Sequence, residues 1–125
     1  MADKLKLSSE ATEILSKLSS RLDLKRHTIC RIAMSISLSL TQDKPDTDPD
    51  YSGQEFNKST IMGSDEYAFL AMIANNANEI IDISESFNTI VRDHIINGLK
   101  IMNKKYETIN SPIDFMKELI AMKKE

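Results

Sequence analysis

The chain has 125 residues, of which 41% are hydrophobic and 28% are charged. These values fit one folded domain with a modest core and give no sign of a long disordered tail. The longest apolar stretch, about Tyr67 to Ala74, is far shorter than the roughly 20 residues of a membrane helix, and residues 1–4 do not open a secretory signal. We therefore predict a cytoplasmic protein that does not bind membranes. Cys30 is the only cysteine, which excludes an internal disulfide and a multi-cysteine zinc site.

The charges are unevenly distributed along the chain. Residues 1–40 hold seven Lys and Arg against four Asp and Glu, a balance of +3, whereas residues 41–125 hold nine against fifteen, a balance of −6. A basic region in an acidic chain suits nucleic-acid binding at one surface, with repulsion elsewhere. An ordinary solvated charge distribution is the alternative explanation.

The N-terminus predicts a short strand followed by a helix. In Lys4-Leu5-Lys6-Leu7 the leucines share one face of a strand and the lysines share the other. Ser8 or Ser9 can cap a helix that runs to Leu22. Its apolar positions follow helical spacing: Ala11, Ile14, Leu15, Leu18 and Leu22.

A second helix is predicted after the break at Asp23–His27, with a cap at Thr28 or earlier and helical spacing from Ile29 to Leu40. Residues 35–40 also alternate with period two, but the helical period extends over about three turns, so we predict a helix there. Strand, helix and helix in this order form a ribbon-helix-helix arrangement. Because so short a strand cannot bury its apolar face alone, we predict a dimer with paired strands.

The rest of the chain predicts an acidic loop and then more helices. Residues 43–53 contain Pro45, Pro49 and four aspartates and predict a surface loop. Asp46, Asp48 and Asp50 resemble the start of a calcium loop, but the required glycine and glutamate are missing, so we predict no calcium site.

Gly53 to Gly63 predicts a fixed extended segment packed on the helices. Helices are predicted after Ser64, after Ser84 and from Ser111. The prediction is thus a mainly α single domain over residues 1–125, comprising a ribbon-helix-helix-like motif (1–40), an acidic loop and extended segment (41–63) and a helical extension (64–125).

No cluster of residues predicts catalysis. His27 and Cys30 lie three positions apart near a helix start, but without a third partner a buried cysteine beside an exposed histidine is the better interpretation. His94 interrupts an apolar helix face, which is typical of a half-buried, hydrogen-bonded histidine. We therefore predict no enzymatic activity, no cofactor and no metal site.

Six basic residues are the candidate DNA contacts. In a ribbon of two chains, Lys4 and Lys6 would present four ammonium groups on one face. The others are Lys17, Arg21, Lys25 and Arg26, of which the last two flank the free N–H groups at the start of the second helix. Lysine is a point charge and favours backbone contact over base reading. The alternative is that the strand lysines only protect an exposed edge from aggregation.

Three stretches resemble one known family. These are residues 30–33 (CRIA), residues 53–63 (GQEFNKSTIMG) and residues 94–98 (HIING), and together they resemble DndE, an accessory family of bacterial DNA phosphorothioation. The resemblance implies an all-helical protein with a ribbon-helix-helix core, a dimer or tetramer that binds double-stranded DNA and prefers a nicked duplex. It also implies partner proteins that carry the sulfur chemistry. Two other functions stay open: a ribbon-helix-helix repressor or antitoxin, and a protein scaffold without DNA contact.

Overall fold

A computed structural model describes residues 4–40, 45–77 and 85–107, and the single residue Lys117. Within these residues the chain forms two short strands, five α-helices and one 3-10 turn. The elements in order are β1 (Lys4–Lys6), α1 (Ser9–Leu22), α2 (Arg26–Leu40), β2 (Glu55–Asn57), α3 (Lys58–Met62), the 3-10 turn (Gly63–Asp65), α4 (Glu66–Ala77) and α5 (Glu85–Glu107). The predicted mainly helical fold with a ribbon-helix-helix-like start is confirmed.

Helix α1 forms as its pattern predicts. The Ser8 hydroxyl accepts a hydrogen bond from the backbone N–H of Ala11 at 3.0 Å, which satisfies one of the free donors of the first turn. Four of the five predicted apolar positions are buried: Ala11, Ile14, Leu15 and Leu18. The helix ends where Asp23 adopts a left-handed conformation with φ of 56° and donates its N–H to the Ser19 carbonyl.

Helix α2 begins earlier than the predicted break suggests. Arg26 and His27 are its first two residues, and the Ile29 N–H donates to the Lys25 carbonyl at 3.1 Å, only two positions after left-handed Asp23. The alternating stretch at 35–40 is helical, as predicted. Ser35 and Ser39 donate their hydroxyls to backbone carbonyls four positions earlier, at 3.0 and 2.9 Å, so these polar side chains are satisfied within the helix.

The ribbon forms within one chain. Strand β1 pairs with β2 in antiparallel register, with Leu5 opposite Phe56. The ladder continues from Leu7 N–H to the Gln54 carbonyl at 3.0 Å and from Gly53 N–H to the Leu7 carbonyl at 2.8 Å. We expected a second copy to supply the partner strand, but a distant segment of the same chain does so. Self-association thus remains a prediction, but β1 does not need a second copy of the chain to supply its partner strand.

The segment from Gly53 to Gly63 is extended over only three residues. The prediction of an extended conformation was wrong for Lys58–Met62, which forms α3. Helical geometry turns Ile61 and Met62 together into the core, where both are fully buried, and Gly63 ends the helix with φ of 59°. The predicted packing of this segment on the helices is confirmed by the contacts of α3 with α2.

The core lies mainly between α2 and α5, the helix pair in most extensive contact. A Cβ atom placed on Gly98 would come within 1.8 Å of the Ala33 carbonyl oxygen, so glycine permits the two backbones to approach closely. Helices α4 and α5 confirm two predicted helices. Residues 78–84, which the prediction divides between these two helices, lie outside the described residues. So does the predicted helix from Ser111, except for Lys117. In the described part of the chain, we find no helix with the length and apolar character needed to cross a membrane.

Candidate nucleic-acid interface

The outer face of the ribbon carries two lysines and one carboxylate. Lys4 and Lys6 are exposed, as predicted, and stand opposite Asn57 and Glu55 in the register of the two strands. The Lys4 ammonium lies 3.4 Å from a Glu55 carboxylate oxygen, and both side chains are well exposed, at 66% and 47%. A surface ion pair of this kind contributes only about 0–1 kcal/mol to stability. Its electrostatic consequence is that Glu55 offsets half of the charge that the lysines bring to this face.

A second basic surface joins the end of α1 to the end of α5. Lys17 is half-buried and Arg21 is exposed one turn later. The Arg21 guanidinium lies over the Tyr106 ring, 5.6 Å from its centroid, which is cation–π distance. This contact joins Arg21 to the last turn of α5, the turn that also carries Lys104, Lys105 and the carboxylate of Glu107. We call these four cations and Tyr106 the α1–α5 patch.

The two cations at the junction between α1 and α2 have different environments. Lys25 is exposed. Arg26 is half-buried and donates from Nη1 to the Oε1 atom of Gln54, which ties the start of α2 to the segment before β2. Asp23, which is also exposed, places a negative charge two positions before Lys25. The junction is therefore less basic than the Lys25-Arg26 pair alone indicates.

The six predicted cations thus lie at three separate places on the surface: the ribbon face, the α1–α5 patch and the junction between α1 and α2. Sequence reasoning missed four residues that shape them: Glu55, Arg92, Lys104 and Lys105. The alternation at 54–57 predicts that Glu55 faces outward, and it is the signal that could have found this residue. Lys104 and Lys105 have no local signal that connects them with Arg21, because more than 80 residues separate them along the chain.

Buried Arg92 holds the acidic loop against the ribbon. Its guanidinium donates from Nε to the Lys6 carbonyl, from Nη1 to the Asp48 carbonyl at 2.9 Å and from Nη2 to the Asp50 carbonyl. The Tyr51 ring covers it at 3.7 Å from guanidinium carbon to ring centroid. Only 2% of Arg92 is exposed. One side chain from α5 therefore fixes both the strand that carries the lysines and the loop beside it.

Two aspartates of the loop, Asp48 and Asp50, bind protein groups. Hydrogen bonds lower the pKa of Asp50, first from the Ser52 hydroxyl and then from the backbone N–H groups of Ser9 and Ser52. The bond to Ser9, at 2.9 Å, places this carboxylate at the start of α1, where the helix dipole favours a negative charge. An Asp48 oxygen accepts the Asp50 N–H at 2.9 Å. These oxygens stabilise the loop and the first turn of α1.

Of the side chains with catalytic potential, Cys30, Ser37 and His94 are buried, whereas His27 is half-buried. His94 was predicted to be half-buried but is completely buried, and its Nδ1 lies 2.8 Å from the Ser37 hydroxyl. Burial lowers the pKa of His94 to about 4, so the ring is neutral at pH 7. Ser37, also fully buried, accepts a further bond from the Asn97 amide at 2.9 Å. The distance suits a nucleophile and its base, but the pair is sealed between α2 and α5.

Cys30 is the buried cysteine that the sequence predicts. Desolvation raises the pKa of its thiol to about 12, and the nearby Arg26 charge only partly opposes this effect. A thiol in this state is protonated at neutral pH and is a poor nucleophile. It acts as a small apolar side chain in the core.

Comparison with known protein families gives a match to most of the chain. The family model described as "DNA sulphur modification protein DndE" matches residues 4–110, which include β1, both helices of the N-terminal motif, the acidic loop and the whole of α5. A search of the curated proteins found no match. The matched range contains all six predicted DNA contacts and the residues of the α1–α5 patch.

Proposed function

Because the chain belongs to the DndE family, an accessory family of the DNA sulfur modification system, we propose that it binds the DNA backbone without itself carrying out chemistry. The observation that carries this proposal is the contact of Arg21 with Tyr106, which joins the α1 helix that bears Lys17 and Arg21 to the turn of α5 that bears Lys104 and Lys105. A cluster of cations of this kind is suited to several phosphates along one stretch of duplex.

A contact made mainly by lysines predicts backbone binding with little sequence preference. Lysine lacks the planar fork with which arginine matches a guanine edge, so its contribution is chiefly electrostatic. Each phosphate neutralised releases counterions, and affinity then falls steeply as salt rises. A nick makes the duplex easier to bend. A rigid protein surface that requires a bent duplex would therefore bind nicked DNA more tightly than intact DNA.

The burial of the potential nucleophiles and base supports a non-catalytic role. Cys30, Ser37 and His94 are all completely buried, so a DNA substrate cannot reach them in this conformation. The sulfur transfer itself would then belong to partner proteins of the modification system. In this role the protein presents or recognises DNA for them.

The proposal is tested by measuring DNA affinity across a range of salt concentrations. We expect Lys17→Gln/Arg21→Gln to weaken binding to a nicked duplex about tenfold or more and to make the plot of log affinity against log salt shallower by about two units. Lys100→Gln is the matched control, because this exposed lysine already lies 3.6 and 3.9 Å from the carboxylates of Glu10 and Asp48.

The outcomes separate the parts of the proposal. Equal effects of the double variant and the control would rule out the α1–α5 patch as the DNA contact. Equal affinity for nicked and intact copies of one duplex would refute the nick preference alone. A large loss of affinity on changing the bases, with the nick unchanged, would favour a repressor or antitoxin instead.

An exposed apolar face on α4 supports the further proposal that the protein self-associates as a dimer or tetramer or binds a partner protein. Tyr67 is 86% exposed and Met72 is 47% exposed, and the alanines between them, Ala68 and Ala71, are exposed too. Such a face is typical of a protein contact. Tyr67→Lys should reduce the mass measured by light scattering if copies of the chain meet here. An unchanged oligomer would place that contact elsewhere.

A further inference from the structure

A small pocket lies between β1 and the first turns of α5. Its volume is about 220 Å³. Three of its lining residues are cations, Lys4, Lys6 and Arg92, and Tyr51 supplies an aromatic ring. No lining residue carries a carboxylate. We call this space the β1–α5 pocket.

The charge of the β1–α5 pocket favours an anion. Lys4 and Lys6 are exposed at its rim, where the Glu55 carboxylate outside the pocket lies 3.4 Å from the Lys4 ammonium, while Arg92 is fixed in the wall by its bonds to backbone carbonyls. The contrast with another cavity of the same molecule is informative. That cavity, of about 500 Å³, is lined by Asp46, Asp48 and Asp93, among others, and its carboxylates would repel a phosphate.

Tyr51 gives the pocket a fixed aromatic wall. Its ring stacks on the Arg92 guanidinium, and the flanking loop is held by the hydrogen bonds of Asp50 to Ser9 and Ser52. Even so, 45% of Tyr51 remains exposed. An aromatic ring held in place and partly open to solvent is a suitable surface for stacking an unpaired or frayed base.

We propose that the β1–α5 pocket binds the terminal phosphate of a broken DNA strand, with the attached nucleoside stacked on Tyr51. A terminal phosphate carries a charge of about −1.5 to −2 at pH 7, compared with −1 for a phosphate within the strand. Lys4 and Lys6 therefore discriminate in favour of the end. The volume is below the roughly 300–1,000 Å³ of pockets for whole small molecules, which fits a phosphate group with the nucleoside outside it.

This inference rests on the proposed function and gives its nick preference a chemical basis. Easier bending would explain tighter binding of a nicked duplex whichever chemical groups end the broken strand. Binding through a phosphate pocket, by contrast, would depend on whether the broken strand ends in a phosphate. A second copy of β1 is the competing occupant of this region, but the Lys6 carbonyl is already used by Arg92, which leaves less of the strand edge available for pairing.

The test compares three nicked duplexes of one sequence with the intact duplex, using the full chain and fluorescence anisotropy. The nicks carry a 5′-phosphate, a 3′-phosphate or hydroxyl groups at both ends. We expect at least one of the phosphate-bearing nicks to bind about three- to tenfold more tightly than the hydroxyl nick. Lys6→Gln and Tyr51→Leu should each remove this difference in affinity. Lys25 lies outside the pocket, so Lys25→Gln should weaken binding to every duplex by the same factor and preserve the preference for the phosphate-bearing nick.

Each outcome decides between the two proposals. Equal affinity for all three nicks, with tighter binding than to intact duplex, overturns the pocket and leaves the proposed function standing. A phosphate preference that persists in both Lys6→Gln and Tyr51→Leu, with both variants folded by circular dichroism, places the phosphate elsewhere and also overturns the pocket. No binding to any duplex overturns the proposed function and the pocket together.

Discussion

Replacing Arg92 by lysine tests how the interface is held together. The guanidinium donates hydrogen bonds to three backbone carbonyls, those of Lys6, Asp48 and Asp50, and it is only 2% exposed. A hydrogen bond to a charged group contributes about 1.5–3 kcal/mol. Lysine keeps the positive charge near Asp93 but lacks the rigid fork needed to reach all three carbonyls. If two of the three bonds are lost, the free energy of unfolding should fall by about 3 kcal/mol or more.

Urea denaturation followed by circular dichroism measures this loss against a matched control. Arg21→Lys makes the same chemical change at an exposed site, where the guanidinium contacts the Tyr106 ring at 5.6 Å, and should cost less than about 1 kcal/mol. Amide exchange adds a local readout: the N–H groups of Ser9 and Gly53 should exchange faster in Arg92→Lys, because both bond to the loop or ribbon that Arg92 fixes. Equal losses of stability in the two variants would refute this account of Arg92.

Three further predictions concern charge, packing and pH. Glu55→Gln removes the ion pair of Lys4 and should raise DNA affinity about two- to fivefold in a binding titration at low salt. Gly98→Ala should lower the thermal midpoint by more than about 8 °C or prevent folding, since the added atom would meet backbone at 1.8 Å. Burial lowers the pKa of His94 to about 4, so protonation of this ring favours the unfolded chain, and the native state should lose stability as pH falls from 6.5 to 4. Burial raises the pKa of Asp93 to about 6, so protonation of this carboxyl favours the native state, which should gain stability as pH falls from about 6. Urea titrations between about pH 4 and 7 should therefore show stability rising towards low pH in His94→Gln and falling in Asp93→Asn.

The helices were predictable because their signals are local. In α1 the apolar spacing, the Ser8 cap and the early acidic residue all indicate the same structure, and the structure confirms them. The ambiguous stretch at 35–40 was resolved correctly because a helical period of several turns outweighs a short alternation. Local agreement of this kind needs no knowledge of the rest of the fold.

The partner of β1 was not predictable in the same way. Strand β2 has three residues and one apolar side chain, Phe56, and almost 50 positions separate it from β1. A strand of that length has no periodicity to detect. A single strand needs a partner, and the sequence shows no second strand that could pair with β1. We therefore expected another copy of the chain to supply it.

The candidate site was predicted as a list of cations but not as a geometry. Lys4 and Lys6 face outward as expected, yet the carboxylate of Glu55 comes from β2 and so could not be placed beside them. Arg92 is harder still to predict. Apart from the adjacent Asp93, its hydrogen-bond partners are backbone carbonyls, which any sequence can supply. Only the folded chain shows which carbonyls it meets.

The geometry suggests different roles for the two basic surfaces. The α1–α5 patch comprises two cations of α1 and two of the last turn of α5, and cations of this kind would give affinity for any stretch of backbone and a steep dependence on salt. On the ribbon face Glu55 offsets one of two lysines, so its general attraction for DNA is weak, but the adjacent β1–α5 pocket can discriminate between a strand end and a continuous strand. If this division is correct, Lys17→Gln should weaken binding to intact and nicked duplexes by similar factors, whereas Lys6→Gln should mainly reduce the ratio between them. Equal effects of both substitutions on that ratio would mean that one continuous surface performs both tasks.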